Sequence, residues 1–262
     1  MIFTLLYDNG SFMLSRNFRL QKVGNLRWLQ KNYNFSSIAF SIDELIVLDV
    51  TRGERDPNAF CEHLKALTEG CFVPIAAGGG VRSIDHAKQL LRSGADKVVI
   101  NTPLYEDQQL VSELASAFGQ QCLVASIDAM KYNGEYQVWS DSGKKLAPGT
   151  LEELLKKVSQ LPVGEMYLNS MDQDGTGQGY DFGMLEHLPA SFCIPVILAG
   201  GAGKFQHLAE GLIDSRVDAV ATAHLFNFVG DGLKKARQGL MKDKFRLAEW
   251  PNEKEILTLS NT

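Results

Sequence analysis

The chain has 262 residues, is 45% apolar and carries a formal net charge of −5 with a pI near 5.6. That is enough apolar chain to bury one sizeable core, while the absence of any basic run longer than two lysines excludes the electrostatic footprint of a nucleic-acid binder. Cys61, Cys71, Cys122 and Cys193 are far apart and mostly flank apolar runs, which reads as reduced cysteine in a cytoplasmic protein, with no metal set and no cofactor expected.

The opening MIFTLLYDNG lacks a charged leader and reaches Asp8 after seven residues, so neither a signal peptide nor a membrane span is expected. Short β-branched runs then alternate with longer amphipathic segments, as in βα units on a parallel sheet. The predicted strands are Ile2–Leu6, Leu45–Val50, Pro74–Ala77, Lys97–Asn101, Leu123–Asp128, Met166–Asn169, Pro195–Ala199 and Ala219–Thr222. Helix-like stretches such as Ser83–Ser93 and Asp107–Phe118 follow most of them. Eight such units predict a single (β/α)8 TIM barrel over residues 1–250, with 251–262 as a C-terminal tail. Alternation in Glu-Tyr-Gln-Val-Trp before Asp-Ser-Gly predicts a hairpin within Gly134–Gly143, inserted after strand five.

Internal repetition is the strongest signal. VPIAAGGGV (Val73–Val81) lines up with IPVILAGGA (Ile194–Ala202), 121 residues apart, and IDELIVLD (Ile42–Asp49) with VGEMYLNS (Val163–Ser170) at the same spacing, pairing Glu44 with Glu165. Asp96 matches Asp218 after one inserted residue. The barrel is therefore expected to be two pseudo-symmetric half-barrels. FTLLYDNGSF (Phe3–Phe12) and LVASIDAMKYNGEY (Leu123–Tyr136) also look like copies of one element, except that Leu6 stands where the second copy has Asp128.

Each glycine cluster follows a strand and precedes a helix, at the end of a barrel where catalytic loops lie. Gly78-Gly79-Gly80 and Gly200-Gly201 could each hold a phosphate on backbone N–H groups, helped by Asn101-Thr102 and Ala223-His224. The plainer alternative, that these glycines only make tight turns, would suffice for one cluster. Duplication at matched positions favours a phosphorylated small molecule with an anion at each end.

Taken in order, DELIVLDV, AAGGGVRS, GADKVVINT, SIDA, SGKK, DQDGTGQGYD and LAGGAGK resemble the HisF family, the cyclase subunit of imidazole glycerol phosphate synthase, from about Asp43 to Phe228. The resemblance implies a (β/α)8 lyase barrel that receives ammonia from a HisH-like glutaminase docked on the face opposite its active site. It would assign Asp128 as the catalytic acid or base. Gly80, Asn101 and Thr102 would form one phosphate site, and Asp174, Gly175, Gly201 and Ala223 the other. His224 stands where the family usually has serine. The family's strand-one Cys-Leu-Asp-Val and the lysine on the loop beyond it align here with Thr4-Leu5-Leu6-Tyr7 and Leu14, so both ionisable groups are replaced. Asp8 has the correct side alternation but lies about 6–7 Å farther along the chain, expected beyond the strand.

The family's ammonia gate is a ring of four charges, of which Glu44, Lys97 and Glu165 match three, and the fourth, an arginine before strand one, has no counterpart. Asp96 matches the aspartate that pairs with the glutaminase. Singly, charges at strand starts are usually solvated barrel-bottom residues. As a retained set beside a lost strand-one acid, they resemble HisF-like paralogues that work with a glutaminase and a separate N-acetyl sugar amidotransferase, converting an acetamido to an acetamidino group on a surface sugar. A histidine-pathway cyclase and a non-catalytic scaffold remain the alternatives.

Overall fold

The computed structural model describes residues 1–33, 38–223 and 232–249. His224 and the predicted tail 251–262 lie outside them.

Twelve strands form one sheet that closes on itself. They are β1 (Ile2–Asp8), β2 (Ser11–Arg16), β3 (Arg19–Gly24), β4 (Glu44–Asp49), β5 (Ile75–Gly78), β6 (Lys97–Ile100), β7 (Leu123–Tyr132), β8 (Glu135–Ser140), β9 (Lys145–Thr150), β10 (Glu165–Ser170), β11 (Val196–Ala199) and β12 (Ala219–Thr222). Eight of them pair in parallel in the cyclic order β1, β4, β5, β6, β7, β10, β11, β12, with β12 returning to β1. This is the expected (β/α)8 barrel, and all eight barrel strands fall on the predicted runs with shifts of one or two residues at most ends. The helices are α1 (Leu26–Tyr33), α2 (Pro57–Thr68), α3 (Ile84–Arg92), α4 (Pro103–Glu106), α5 (Gln108–Phe118), α6 (Leu151–Val158), α7 (Phe205–Ile213) and α8 (Gly232–Lys242). Their starts are written locally. Asp56, just ahead of Pro57, accepts from the amides of Asn58 and Ala59, Ser83 caps α3, and Thr150 with Glu153 makes a reciprocal capping box on α6.

Period-two alternation divides the core in two. On β4, Leu45 and Val47 face the helices. Ile46 points inward, joining Ile2, Val99, Val124, Tyr167 and Ile197 in a separate cluster that fills the barrel.

Two departures from the sequence reading sit on top of this frame. The predicted hairpin is larger: β7 runs on to Tyr132 and pairs with β8, which pairs in turn with β9. A second hairpin, unpredicted, follows strand one, with β2 antiparallel to both β1 and β3. The β1–β2 and β7–β8 turns are both Asn-Gly with positive φ at each residue, Asn9 (41°) and Gly10 (80°), Asn133 (51°) and Gly134 (89°), the conformation that matches strand twist in a two-residue loop. The likeness of the two stretches was thus a likeness of turns as well as of strands. Asp8 lies within β1 rather than beyond it, at the register position opposite Ser11.

Candidate active site and the barrel axis

At the carboxyl ends of the strands a cavity opens, lined from both halves of the barrel. Every described residue assigned to catalysis or phosphate binding is on its wall: Asp128, Gly80, Asn101, Thr102, Asp174, Gly175, Gly201 and Ala223. His224 falls outside the described residues.

Asp128 is half-buried and held from two neighbouring strands. Its Oδ1 accepts from Asn169 Nδ2 at 2.8 Å and its Oδ2 from Asn101 Nδ2 at 3.3 Å, while Asn101 Nδ2 also donates to Ser126 O at 3.0 Å. Burial pushes its carboxyl up to about 6, against the Asn169 hydrogen bond that favours the charged form and with a smaller push from Asp174. A carboxyl poised there can take or give a proton near neutrality. Asn169 was not singled out from sequence. The signal was available, because Glu165, Tyr167 and Asn169 alternate on one face of β10 and Glu165 was already placed inward.

Leu6 and Leu48 are register partners on β1 and β4, and both line the cavity. The wall beside strand one is therefore apolar. Leu14, the position aligned with the family's lysine, packs against the outer core instead. The residues of this hairpin that reach the cavity are Ser15, Phe18 and Leu20. Ser15 Oγ and Phe18 N both donate to Asp174 Oδ2, the latter at 2.9 Å, and Asn17 N donates to Asp174 O at 2.8 Å. Gly175 is required by the same contact, since a Cβ there would meet Ser15 O at 2.0 Å. Asp174 and Gly175 thus dock the hairpin as well as lining the cavity.

The first glycine loop has Gly79 at φ 119° and Gly80 at 64°. A Cβ on Gly79 would lie 2.2 Å from Asp49 O, so this loop presses on the end of β4. Arg52, Arg55 and Arg82 line the cavity around it, and none was singled out from sequence. The second loop has Gly200 at 86° and Gly201 at 107°.

At the opposite end of the barrel interior, Lys97 Nζ bridges Glu44 Oε2 at 2.8 Å and Glu165 Oε1 at 2.7 Å. Burial raises the Glu44 carboxyl, with Lys97 pulling the other way. For Lys97 itself burial is the largest influence and lowers its pKa, but the two carboxylates together outweigh it and the ammonium is held above its usual range. Glu44 Oε1 and Glu165 Oε2 are buried without a hydrogen-bond partner among the described residues. Between this bridge and Asp128, Thr4 Oγ1 and Tyr167 OH meet at 3.3 Å. Asp96 is not part of the bridge: it is exposed on the outside of the barrel, its Oδ2 accepting from Ile75 N at 2.8 Å.

A duplicated (β/α)8 barrel with a glycine loop in each half and one raised carboxyl between them defines an enzyme subunit acting on a small molecule. The profile of the family described as "Histidine biosynthesis protein" matches residues 31–230. A Parasynechococcus marenigrum protein, provisionally named imidazole glycerol phosphate synthase subunit hisF2, is 48% identical over 251 residues, covering 95% of this chain and 93% of that one. The imidazole glycerol phosphate synthase subunits HisF of Chlorobaculum parvum and Chloroherpeton thalassium are 38% and 37% identical, covering 77% and 85% of this chain and 80% and 87% of theirs. The chain belongs to the HisF family of imidazole glycerol phosphate synthase subunits. No helix among the described residues is long and apolar enough to cross a membrane.

Proposed function

We propose that this chain is the synthase subunit of a glutamine amidotransferase that takes ammonia from a HisH-like glutaminase at the amino-terminal face of the barrel and passes it along the interior. The observation that carries this reading is the Lys97 bridge between Glu44 and Glu165. It closes the bottom of an interior whose top is the Asp128 cavity, and it joins residues from three strands that have no need of charge to pack. Glu44, Lys97 and Glu165 act as the gate, and exposed Asp96 as part of the docking rim.

Leu6 supports a further step, that the cyclase reaction is impaired and the ammonia serves acetamido-to-acetamidino modification of a surface sugar by a separate N-acetyl sugar amidotransferase. The residues of strand one that line the cavity are Thr4 and Leu6, so that strand offers Asp128 no carboxyl to exchange protons with. The glycine loops then bind phosphoryl groups of a cavity ligand. A second reading, the histidine-pathway lyase, draws on the raised Asp128 carboxyl and on the names of the relatives.

The deciding experiment supplies the purified chain with ammonium salt and the imidazole glycerol phosphate synthase nucleotide substrate. Turnover within tenfold of an ordinary HisF would establish the lyase and end the sugar reading. Absence of turnover, with a co-encoded glutaminase whose activity rises on binding the chain, is the expected result.

A further inference from the structure

Arg55 lies on the loop between β4 and α2, and its place there is fixed from both sides: Thr51 N donates to Asp49 Oδ1 at 3.0 Å, and Asp56 caps the helix that follows. The side chain extends over the first glycine loop. A Cβ built on Gly80 would find Arg55 Cδ at 3.0 Å, Nη1 at 3.1 Å and Nε at 3.2 Å as its three nearest atoms. A guanidinium offers five N–H donors, yet among the described residues this one makes a single hydrogen bond, from Nη2 to Ser142 Oγ at 3.3 Å. Its Nε is buried with no hydrogen-bond partner; its counter-ion is the buried Asp49 carboxylate, whose Oδ2 lies 3.7 Å from Nε, an ion pair too long to be a hydrogen bond. The pair balances the charge of Arg55 but leaves most of its donors, the buried Nε among them, without a protein acceptor among the described residues.

We infer that Arg55 grips the phosphoryl group of the cavity ligand at the Gly79–Gly80 loop, so that the first-half anion site is held by a guanidinium fork as well as by backbone amides. This rests on reading the glycine loops as phosphoryl sites. The fork matches two phosphoryl oxygens at once, which a backbone nest alone does not. Arg52 and Arg82 line the same end of the cavity but are exposed and engaged with Phe18 O and Val81 O. Asp49 and Asp141, also on that wall, oppose anions and make the contribution of Arg55 more necessary. The second-half loop lies away from Arg55, so the residue gives the cavity a direction: one end of a ligand is recognised by a side chain that the other end does not meet.

The test is titration of the isotope-labelled chain with inorganic phosphate, followed by the amide resonances of Gly79, Gly80 and Thr102 for the first loop and of Gly201 and Ala202 for the second. Arg55→Gln is expected to weaken the first-loop response by roughly 10–100-fold, the loss of one or two charge-assisted hydrogen bonds, and to leave the second-loop curve where it was. Arg55→Lys keeps the charge without the fork and is expected to fall between; should the glutamine variant not fold, the lysine variant carries the comparison. An unchanged first-loop affinity overturns the inference, as does an equal loss at both loops, which would make Arg55 a structural brace. No response at either loop in the unsubstituted chain would remove the phosphoryl reading itself.

Discussion

Asp96 and Asp218 make the same contact in the two halves of the barrel. Asp96 Oδ2 accepts from Ile75 N at 2.8 Å and Asp218 Oδ2 from Val196 N at 2.9 Å, while the backbone of each aspartate donates to the same residue in return. Ile75 and Val196 are themselves 121 residues apart, so the repeat read from the sequence is a repeat of strand-start anchors. Alanine at either aspartate is expected to cost about 1–2 kcal/mol, the loss of a charge-assisted bond to a backbone amide, read as a lowered urea midpoint at unchanged m-value.

That anchor contact changes how the proposed docking role of Asp96 is tested. A charge-reversing Asp96→Lys would disturb β5 and any partner together. Asp96→Asn keeps the acceptor and removes the charge. If Asp96 pairs with a cation on a glutaminase, the asparagine variant binds that partner more weakly while melting within a degree or two of the parent; unchanged association in a pull-down or calorimetric titration removes Asp96 from the interface.

The Asp128 carboxyl is raised to about 6 from an ordinary value of 3.8. A carboxyl whose folded pKa lies above its unfolded one opposes folding when charged, so its contribution improves as pH falls through 6 and is complete below about 4. At 1.36 kcal/mol per unit, the span is at most roughly 3 kcal/mol. Carbon-detected titration is expected to place its midpoint near 6, and Asn169→Ala to move it upward, since that hydrogen bond favours the charged form. A midpoint near 4 in the parent chain would show the site to be wetter than its geometry implies.

For the cyclase reaction, a missing acid or base costs about 10²–10⁴-fold. Leu6→Asp is expected to recover part of that with ammonium salt as donor. Leu14→Lys is expected to add nothing, because Leu14 packs against the outer core, and Ser15→Lys would be the position from which a lysine reaches the cavity. Recovery by Leu14→Lys and not by Ser15→Lys would contradict the placement of the β2–β3 hairpin.

The hairpin itself is held on Asp174, and Arg16 and Arg19 flank its turn. Asp174→Ala removes the acceptor for Ser15 Oγ and Phe18 N. Tryptic cleavage after Arg16 or Arg19 is then expected to be at least severalfold faster than in the parent chain, as for any segment whose local opening has become easier. Equal rates would mean that other contacts hold it.

The eight barrel strands were legible because buried parallel strands are short apolar runs bounded by turn residues, and the glycine loops because two copies at one spacing corroborate each other. The first hairpin was not. Phe12 and Met13 alternate too briefly among polar residues, and the Asn9-Gly10 turn was noticed only as half of a repeat. Arg55 carried no signal either, since a single arginine in a loop has no period to betray it and its value comes from lying over a glycine that is some 25 residues distant in sequence. Asp96 was legible as conserved between the halves but not as an anchor, because a charged residue at a strand start looks the same whether it bonds backbone or awaits a partner.

The pairing of Leu6 with Leu48 also bears on how such a chain can diverge. An aspartate at position 6 would add a further carboxyl to the enclosure that already raises Asp128, a standing cost to folding that only its chemistry would justify. Leucine removes that cost. A barrel that has made the exchange holds a reserve of stability, and a protein with reserve tolerates substitutions that would unfold its ancestor. Surrendering one acid can therefore widen the set of sequences open to a lineage, and with it the chance that the remaining cavity is turned to another substrate.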